Sequence, residues 1–405
     1  MNIIFVGPFG LRRKGTIAMR ALPLAKALAA RGHQVELLLP PWDSPEDSGH
    51  VWDEDGVHIR HVVLPPARPL LQHVQITARL LQRILHLRPN VVHCFKPKAY
   101  AGLVAWAIWW LRKLGVIHTK LVLDSDDWEG AGGWNEIERY SAAQRRFFAW
   151  QERWGLLHCN ALTVASRALQ TIAWSLGVPP ARVHYLPNGI DERTALFSGD
   201  CDGASVRQKH SLAADPLILL YTRFFEFRVE RLVEIMRQVH TRAPDAHLLV
   251  VGQGLFGEEH EMLRLFQEGG LGSRVAYAGW VPAGRLPNYF AAAELAIYPF
   301  DDTLINRTKC AVKLLDLLAA GVPVVADAVG QNREYIQHER TGLLVTPGKI
   351  EEFAEAIVRL LRDESLRKRL GQSAREEMIA RYGWRMLAEE AEKAYGTIDS
   401  CWESD

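Results

Sequence analysis

Three groups of charged residues stand at spacings that suit anion binding and carboxylate chemistry. Lys313 and Asp316 lie three apart in TKCAVKLLDLLAAGVPVVA, the stretch Thr308–Ala326, so a helix carries both along one flank. Near a helix start they offer an acid and a base beside backbone N–H groups that already favour anions. Arg223 directly follows the apolar run Leu217–Thr222, and Arg228 stands five residues further on. Each guanidinium presents a bidentate fork suited to phosphate oxygens. Asp124, Asp126 and Asp127 fall within four residues at the end of another apolar run, Lys120–Asp124. Ligands of open α/β sheets gather at such strand ends, so these aspartates read either as an Asp-x-Asp metal site bridging a diphosphate or as caps of the following turn.

The elements that must hold these groups follow from periodicity. Leu314, Leu315, Leu317 and Leu318 recur at helical spacing, Gly321 sits where a left-handed cap is wanted, and Pro323–Ala326 reads as a strand buried on both faces. At the N-terminus Asn2–Val6 is a strand, Gly7–Gly15 a glycine-bearing basic loop, Ile17–Ala30 a helix and Gln34–Leu39 a second strand. This is one β-α-β unit with a parallel sheet. A strand at Val57–Leu64, a helix at 70–87, strands at Asn90–Cys94 and Ala161–Ala165 and a long amphipathic helix ending near His158 extend it. A fresh series begins at Leu217, with a helix at Val229–Arg242 and strands at Ala246–Val251, Val275–Ala278 and Ala296–Pro299. Asn188-Gly189 makes the turn between the two series.

A chain of 405 residues, 48% apolar, holds two to three domains at roughly 150 residues each. Its net charge of +1 hides an asymmetry: residues 1–120 carry sixteen Lys and Arg against seven Asp and Glu, leaving about −8 on the remainder. The basic half fits an anionic acceptor or a membrane surface better than a nucleic acid. Five cysteines, Cys94, Cys159, Cys201, Cys310 and Cys401, have no metal-ligand spacing and suit a reducing compartment. The opening residues lack the form of a signal peptide, and the run Ala99–Leu111 is too short to span a bilayer. That run reads as a buried helix, although Trp106, Trp109 and Trp110 followed by Arg112 and Lys113 also suit a lipid interface. A dinucleotide-dependent oxidoreductase is disfavoured: GPFGLRRKG lacks the three-glycine fingerprint, and Leu38-Leu39-Pro40 supplies no ribose-binding acid.

The Thr308–Ala326 stretch resembles the signature region of the retaining, nucleotide-sugar-dependent glycosyltransferases of the GT-B fold, family 4, the glycosyl transferases group 1. In that family a glutamate, seven residues and a second glutamate precede a small-residue run, a glycine and "PVVA". Here Thr308 takes the first position and Asp316 the second, the one that holds the donor ribose hydroxyls. The resemblance continues through Arg31-Gly32-His33-Gln34-Val35, the "PNGID" phrase at Pro187–Asp191, Gly330–Glu334 and Thr341–Val345. It implies that Arg223 and Arg228, the latter where the family has lysine, clamp the donor diphosphate together with Lys313. It also implies that Gly15 and the backbone at Val281 face the donor, and that Asp126 stands at the position of the family histidine with Asp127 retained beside the transferred sugar.

The implied fold class is α/β, GT-B, with two Rossmann-like doubly wound domains whose parallel sheets face across a cleft. Residues 1–190 form the acceptor-side domain, 191–374 the nucleotide-sugar domain, and 375–405 a helix crossing back. The implied activity is retaining, metal-independent hexosyl transfer from a nucleoside-diphosphate sugar to a hydroxyl of a glycan, lipid or small molecule. No cofactor or metal takes part, nor does a nucleic acid. The location expected is cytoplasmic, with peripheral contact at the inner membrane face through the basic domain. A non-catalytic sugar-nucleotide-binding protein is the rival, because the family glutamate and histidine positions are altered.

Overall fold

The computed structural model describes residues 1–12, 15–67, 71–191, 201–212 and 215–396. Arg13, Lys14, Leu70 and Cys401, and parts of the expected linking segment 198–216, lie outside them. The chain divides into two units, each with its own sheet: Met1–Gly189 with Thr308–Cys310 and the stretch from Trp384, and Ile190–Arg307 with Ala311–Gly383.

The first unit holds β1 (Asn2–Val6), β2 (Gln34–Leu39), β3 (Val51–Glu54), β4 (Val57–His61), β5 (Val91–Phe95), β6 (Lys120–Ser125), β7 (Ala161–Val164) and β8 (Val183–Tyr185). Their order is β3-β4-β2-β1-β5-β6-β7-β8. Alternate residues face opposite layers. Ile3 and Phe5 pack with Leu24 and Leu28 of the helix Leu22–Ala30, while Ile4 and Val6 pack with Leu80 and Val104 of the helices Leu71–Leu87 and Ala99–Lys113. Both faces of β1 are covered, which is why it reads as an unbroken apolar run.

One strand departs from the expected parallel arrangement. β3 pairs antiparallel with β4, and β4 ends at His61 rather than at Leu64. The cause is local. Asp55 and Gly56 both adopt positive φ, 47° and 82°, and make the two-residue hairpin that Asp-Gly favours.

The second unit holds β9 (Leu217–Thr222), β10 (His247–Gly252), β11 (Val275–Gly279), β12 (Leu295–Tyr298), β13 (Val324–Asp327) and β14 (Leu343–Val345), in the order β11-β10-β9-β12-β13-β14. All its pairings are parallel. This is the doubly wound order whose switch point lies between the first and fourth strands, here β9 and β12. The helix Val312–Ala319 buries Leu314, Leu315, Leu317 and Leu318. Gly321 closes it at φ 76°, the left-handed cap its position suggested.

Near the C-terminus the helix Glu364–Tyr382 packs on Val312–Ala319 within the second unit. Gly383 then leaves helical geometry. The next helix, Trp384–Gly396, joins the first unit, burying Trp384, Leu387, Ala391 and Tyr395 against Leu22–Ala30 and β6–β8. The helix that belongs to the first unit thus begins at Trp384, whereas the family resemblance implies one from about Arg375.

Candidate active site

Within the first unit the expected Gly15 follows β1 and the expected Asp126 and Asp127 follow β6, on either side of β5 in a sheet whose switch point lies between β1 and β5. Gly15 opens the helical segment after β1, where an added Cβ would meet nothing nearer than the Met19 Cγ at 3.8 Å. The segment then winds as a π-turn over Ile17–Ala21, and the Leu22 N–H donates to the Ile17 carbonyl. Pro23 explains the wider turn: it has no N–H for the Met19 carbonyl, so the ladder shifts by one residue.

That turn carries Arg20 into the core. Arg20 Nε and Nη2 donate to the two carboxylate oxygens of Asp124 at 2.7 and 2.6 Å, and further bonds reach the Asn188 Oδ1 and the Leu186 carbonyl. Both partners are fully buried. Asp124 is thus spent on holding the end of β6, and the aspartates that follow are placed by it.

Asp126 and Asp127 converge on an ammonium that sequence reasoning did not single out. Lys96, just beyond β5, lies 3.3 Å from Asp126 Oδ1, 3.1 Å from Asp127 Oδ2 and 3.3 Å from Glu129 Oε1. Lys98 holds the other Glu129 oxygen at 2.5 Å. Burial opposes the charge on Lys96, but the three carboxylates outweigh it and hold its ammonium well above the usual lysine range. Burial raises the Asp127 carboxyl, with Asp126 and Glu129 adding repulsion against the pull of Lys96. Burial, with Glu129 beside it, also raises the Glu152 carboxyl well above the usual carboxylate range, while Glu152 accepts the Glu129 N–H.

Thr308 and Cys310 join this same unit. The Thr308 carbonyl accepts from Ser166 Oγ at 3.1 Å, the Cys310 thiol donates to the Asp126 carbonyl, and the Cys310 N–H donates to Asp127 Oδ1 at 3.4 Å. Thr308 is fully buried. Burial raises the Cys310 thiol well above the usual thiol range, which disfavours the thiolate.

Within the second unit Arg223, Arg228, Lys313 and Asp316 assemble around the β9/β12 switch point. Arg223 leaves the end of β9 exposed to solvent. Arg228 caps the helix Val229–Arg242; its N–H donates to Asp301 Oδ2 at 2.9 Å and its side chain is 79% exposed. Its Nε also lies 3.5 Å from the same Asp301 oxygen, and a helix start that carries an exposed guanidinium is suited to an anion. The Lys313 ammonium rests 3.8 Å from the centre of the ring of Tyr221, near the end of β9. Asp316 lies one turn on, half-buried, and removal from water pushes its carboxyl up to about 7 against the pull of Lys313. Burial, with Asp316 beside it, likewise raises the Tyr221 phenol. Val281 is buried in the core beside the exposed Trp280.

Beneath the exposed cations, Arg231 binds Asp327 at 3.0 and 2.6 Å and reaches Asp301 at 3.3 Å, which fixes the ends of β12 and β13 together. Sequence reading missed Arg20, Lys96, Tyr221 and Arg231. An isolated basic residue within an apolar helical pattern is the only signal that the sequence offered for the two arginines.

Residues 15–189 match the family model described as glycosyl transferase 4-like domain, and residues 215–363 match that described as glycosyl transferases group 1. The chain is 30% identical over 220 residues to the GDP-mannose-dependent alpha-(1-6)-phosphatidylinositol monomannoside mannosyltransferase of Mycobacterium tuberculosis, covering 52% of this chain and 54% of that protein. The match thus spans about half the length of that relative. The protein of the same description from Mycolicibacterium smegmatis is 26% identical over 368 residues, 88% of each chain. Among solved structures, Anabaena Alr3699/HepE in complex with UDP superposes with a TM-score of 0.72 at 18% identity, over 98% of this chain and 100% of that one. Sucrose-phosphate synthase from Thermosynechococcus elongatus gives 0.70 at 22%, over 98% of both.

Proposed function

The chain belongs to the glycosyl transferases group 1, the family 4 glycosyltransferases of GT-B fold, and we propose that it moves a sugar from a nucleoside-diphosphate donor to an acceptor hydroxyl with retention of configuration. The observation that carries this reading is the clustering of Arg223, Arg228, Lys313 and Asp316 at one switch point of the second sheet. There the cations would receive the diphosphate and Asp316 the ribose hydroxyls.

In the transfer, the bond from the anomeric carbon to the phosphate oxygen breaks and its electron pair leaves with the diphosphate. The acceptor oxygen bonds to that carbon on the same face, and its proton passes to the departing phosphate oxygen. Arg223 and Arg228 neutralise the charge that develops on the diphosphate. Asp126 and Asp127 would stabilise the positive charge developing on the sugar ring, or accept hydrogen bonds from its hydroxyls, with Lys96 fixing their geometry. Gly15, Thr308 and Val281 stay in this reading as residues bordering the donor. Cations neutralise the diphosphate, so no metal is assigned.

The rival reading, a binder without turnover, draws support from Asp126 itself, which is tied to Lys96 where the family has a histidine. One series of experiments separates the two. A screen of nucleoside diphosphates and their sugar conjugates should find one that stabilises the protein, by about 2.7 kcal/mol at 100 times its dissociation constant. Arg223→Ala and Arg228→Ala should each weaken that ligand about 10- to 100-fold, the worth of one or two hydrogen bonds between charged groups. Binding by the wild type without hydrolysis or transfer would favour the rival, and undiminished binding by both variants would remove the clamp assignment.

The acceptor side of the proposal includes peripheral contact with an anionic membrane. Trp106, Trp110, Phe147 and Trp150 are exposed, and the helices that bear them, Ala99–Lys113 and Ala142–Leu157, meet where Trp109 lies 5.5 Å from Trp154. Exposed Lys113, Arg145, Arg146 and Arg153 share these helices, a composition suited to the interface of an anionic bilayer. No described helix is long and apolar enough to cross a membrane. Sedimentation with phosphatidylglycerol vesicles should exceed that with phosphatidylcholine vesicles and fall about tenfold in Trp110→Ala/Trp150→Ala, the loss of two buried aromatics and their contacts. Equal binding to both vesicle types, or none, would count against this contact.

A further inference from the structure

In the first unit a cavity of about 260 Å³ opens at the loops beyond β1 and β2 and the end of β4, lined by Leu11, Arg12, Asp47, His50, Trp52 and His61. None of these residues has a part in the donor or transfer assignments above. Two of them carry unmet hydrogen-bonding capacity. Asp47 is 3% exposed; its Oδ1 receives Arg12 at 3.1 Å, while its Oδ2 is buried with no partner. His61 is 2% exposed, and its Nδ1 lies 3.2 Å from the Asp47 carbonyl while its Nε2 has no partner.

A carbonyl can only accept, so the His61 proton sits on Nδ1 and Nε2 of the neutral ring offers a lone pair. Burial lowers the His61 pKa and favours that neutral ring. The unmet atoms are therefore both acceptors, and orphaned buried acceptors cost stability unless something donates to them. Behind them, the Gly10 N–H donates to Asp43 Oδ1 and ties the β1 and β2 loops, leaving Asp43 Oδ2 and Ser44 Oγ also buried and unmatched. An apolar wall completes the site: the Trp52 indole meets His61 edge to face at 5.2 Å, and its N–H is directed to Glu54.

Acceptors beside a carboxylate disfavour an anion, and they call for a ligand rich in hydroxyl donors with a C–H face for the indole. The volume lies just below the roughly 300–1,000 Å³ of sites for drug-sized ligands, which fits one ring rather than a chain. We propose that this cavity binds a neutral, multiply hydroxylated ring and that the ring belongs to the acceptor. The polyol assignment stands on the cavity alone; the acceptor assignment rests on the transferase reading.

The test uses the full chain and saturation-transfer NMR with glucose, mannose and myo-inositol as neutral probes and inorganic phosphate as a competing anion. At least one neutral ring should receive saturation that phosphate does not displace. Asp47→Asn and Trp52→Leu, checked for unchanged melting, should each weaken it about tenfold, the worth of one strong contact, while stabilisation by the donor nucleotide stays at the wild-type level. Absence of any polyol signal, displacement by phosphate, or full signal in both variants would overturn the proposal. A polyol signal in a protein that no nucleotide stabilises would overturn the acceptor assignment alone, because the transferase reading would then have failed first.

Discussion

Arg20→Met should lower the stability of the first unit by about 3–5 kcal/mol, the cost of leaving a buried charge without its partner. Asp124 is fully buried, and Arg20 supplies both of its oxygens with donors at 2.6 and 2.7 Å. Removing the guanidinium also deletes its bonds to the Asn188 side chain and the Leu186 carbonyl, which it joins to β6. The measurement is thermal or denaturant unfolding followed by a probe in the first unit, and the melting temperature should fall by about 10 °C. A double replacement, Arg20→Met with Asp124→Leu, should recover much of the loss, since the penalty lies in the unpaired carboxylate rather than in the absent pair. If Arg20→Met melts within about 2 °C of the wild type, the pair does not anchor the β6 end. Donor binding should survive in the folded fraction, because none of these residues belongs to the second unit.

Asp316→Asn has the second large expected effect, and it separates binding from stability. Burial lifts the Asp316 carboxyl from its ordinary 3.8 to about 7. Between those values the folded chain keeps a proton that the unfolded chain has lost. The stabilising contribution of this group is therefore complete below the lower value and is lost as pH rises through the upper one. At pH 8 the wild type holds a carboxylate poorly served by water, so Asp316→Asn should melt higher there, by about 1–3 kcal/mol of relieved desolvation.

For the donor the sign reverses. Ribose hydroxyls donate best to the ionised carboxylate, so below about pH 7 a proton must leave for the ligand to bind, and affinity should fall up to about tenfold per pH unit. A sugar nucleotide is the right probe, because its doubly esterified diphosphate keeps a constant charge over this range. Asp316→Asn should bind it about 10- to 100-fold more weakly at pH 8, the value of hydrogen bonds to a charged acceptor, and with no slope between pH 8 and pH 6. A variant that binds as tightly as the wild type with the same slope would remove Asp316 from the ribose. A variant that loses affinity and stability together would mark it as a structural residue.

Sequence alone determined much of this protein because its signals were local. Apolar runs such as Leu217–Thr222 and Val324–Val325 are strands covered on both faces, and that burial writes itself into consecutive residues. The leucine stripe at 314–318 and the cap at Gly321 fixed the helix that bears Lys313 and Asp316, so their shared flank was readable too. The hairpin at Asp55-Gly56 was equally local and could have been read from its turn residues.

Tertiary structure decided the rest, because the deciding contacts join residues far apart in the chain. Arg20 meets Asp124 across 104 positions, and Lys96 meets Asp126 and Asp127 across about thirty. No periodicity encodes such pairs: Asp126 and Asp127 read as metal ligands, as turn caps or, from the family resemblance, as carboxylates beside the transferred sugar, and only folding set an ammonium between them and Glu129. Thr308 and Cys310 stand in a stretch that reads as continuous with the second sheet, yet their hydrogen bonds place them in the first unit. Charge and hydroxyl chemistry could be listed residue by residue from the sequence; which acid faces which base depends on where the strand ends bring them, and only the folded chain fixes that.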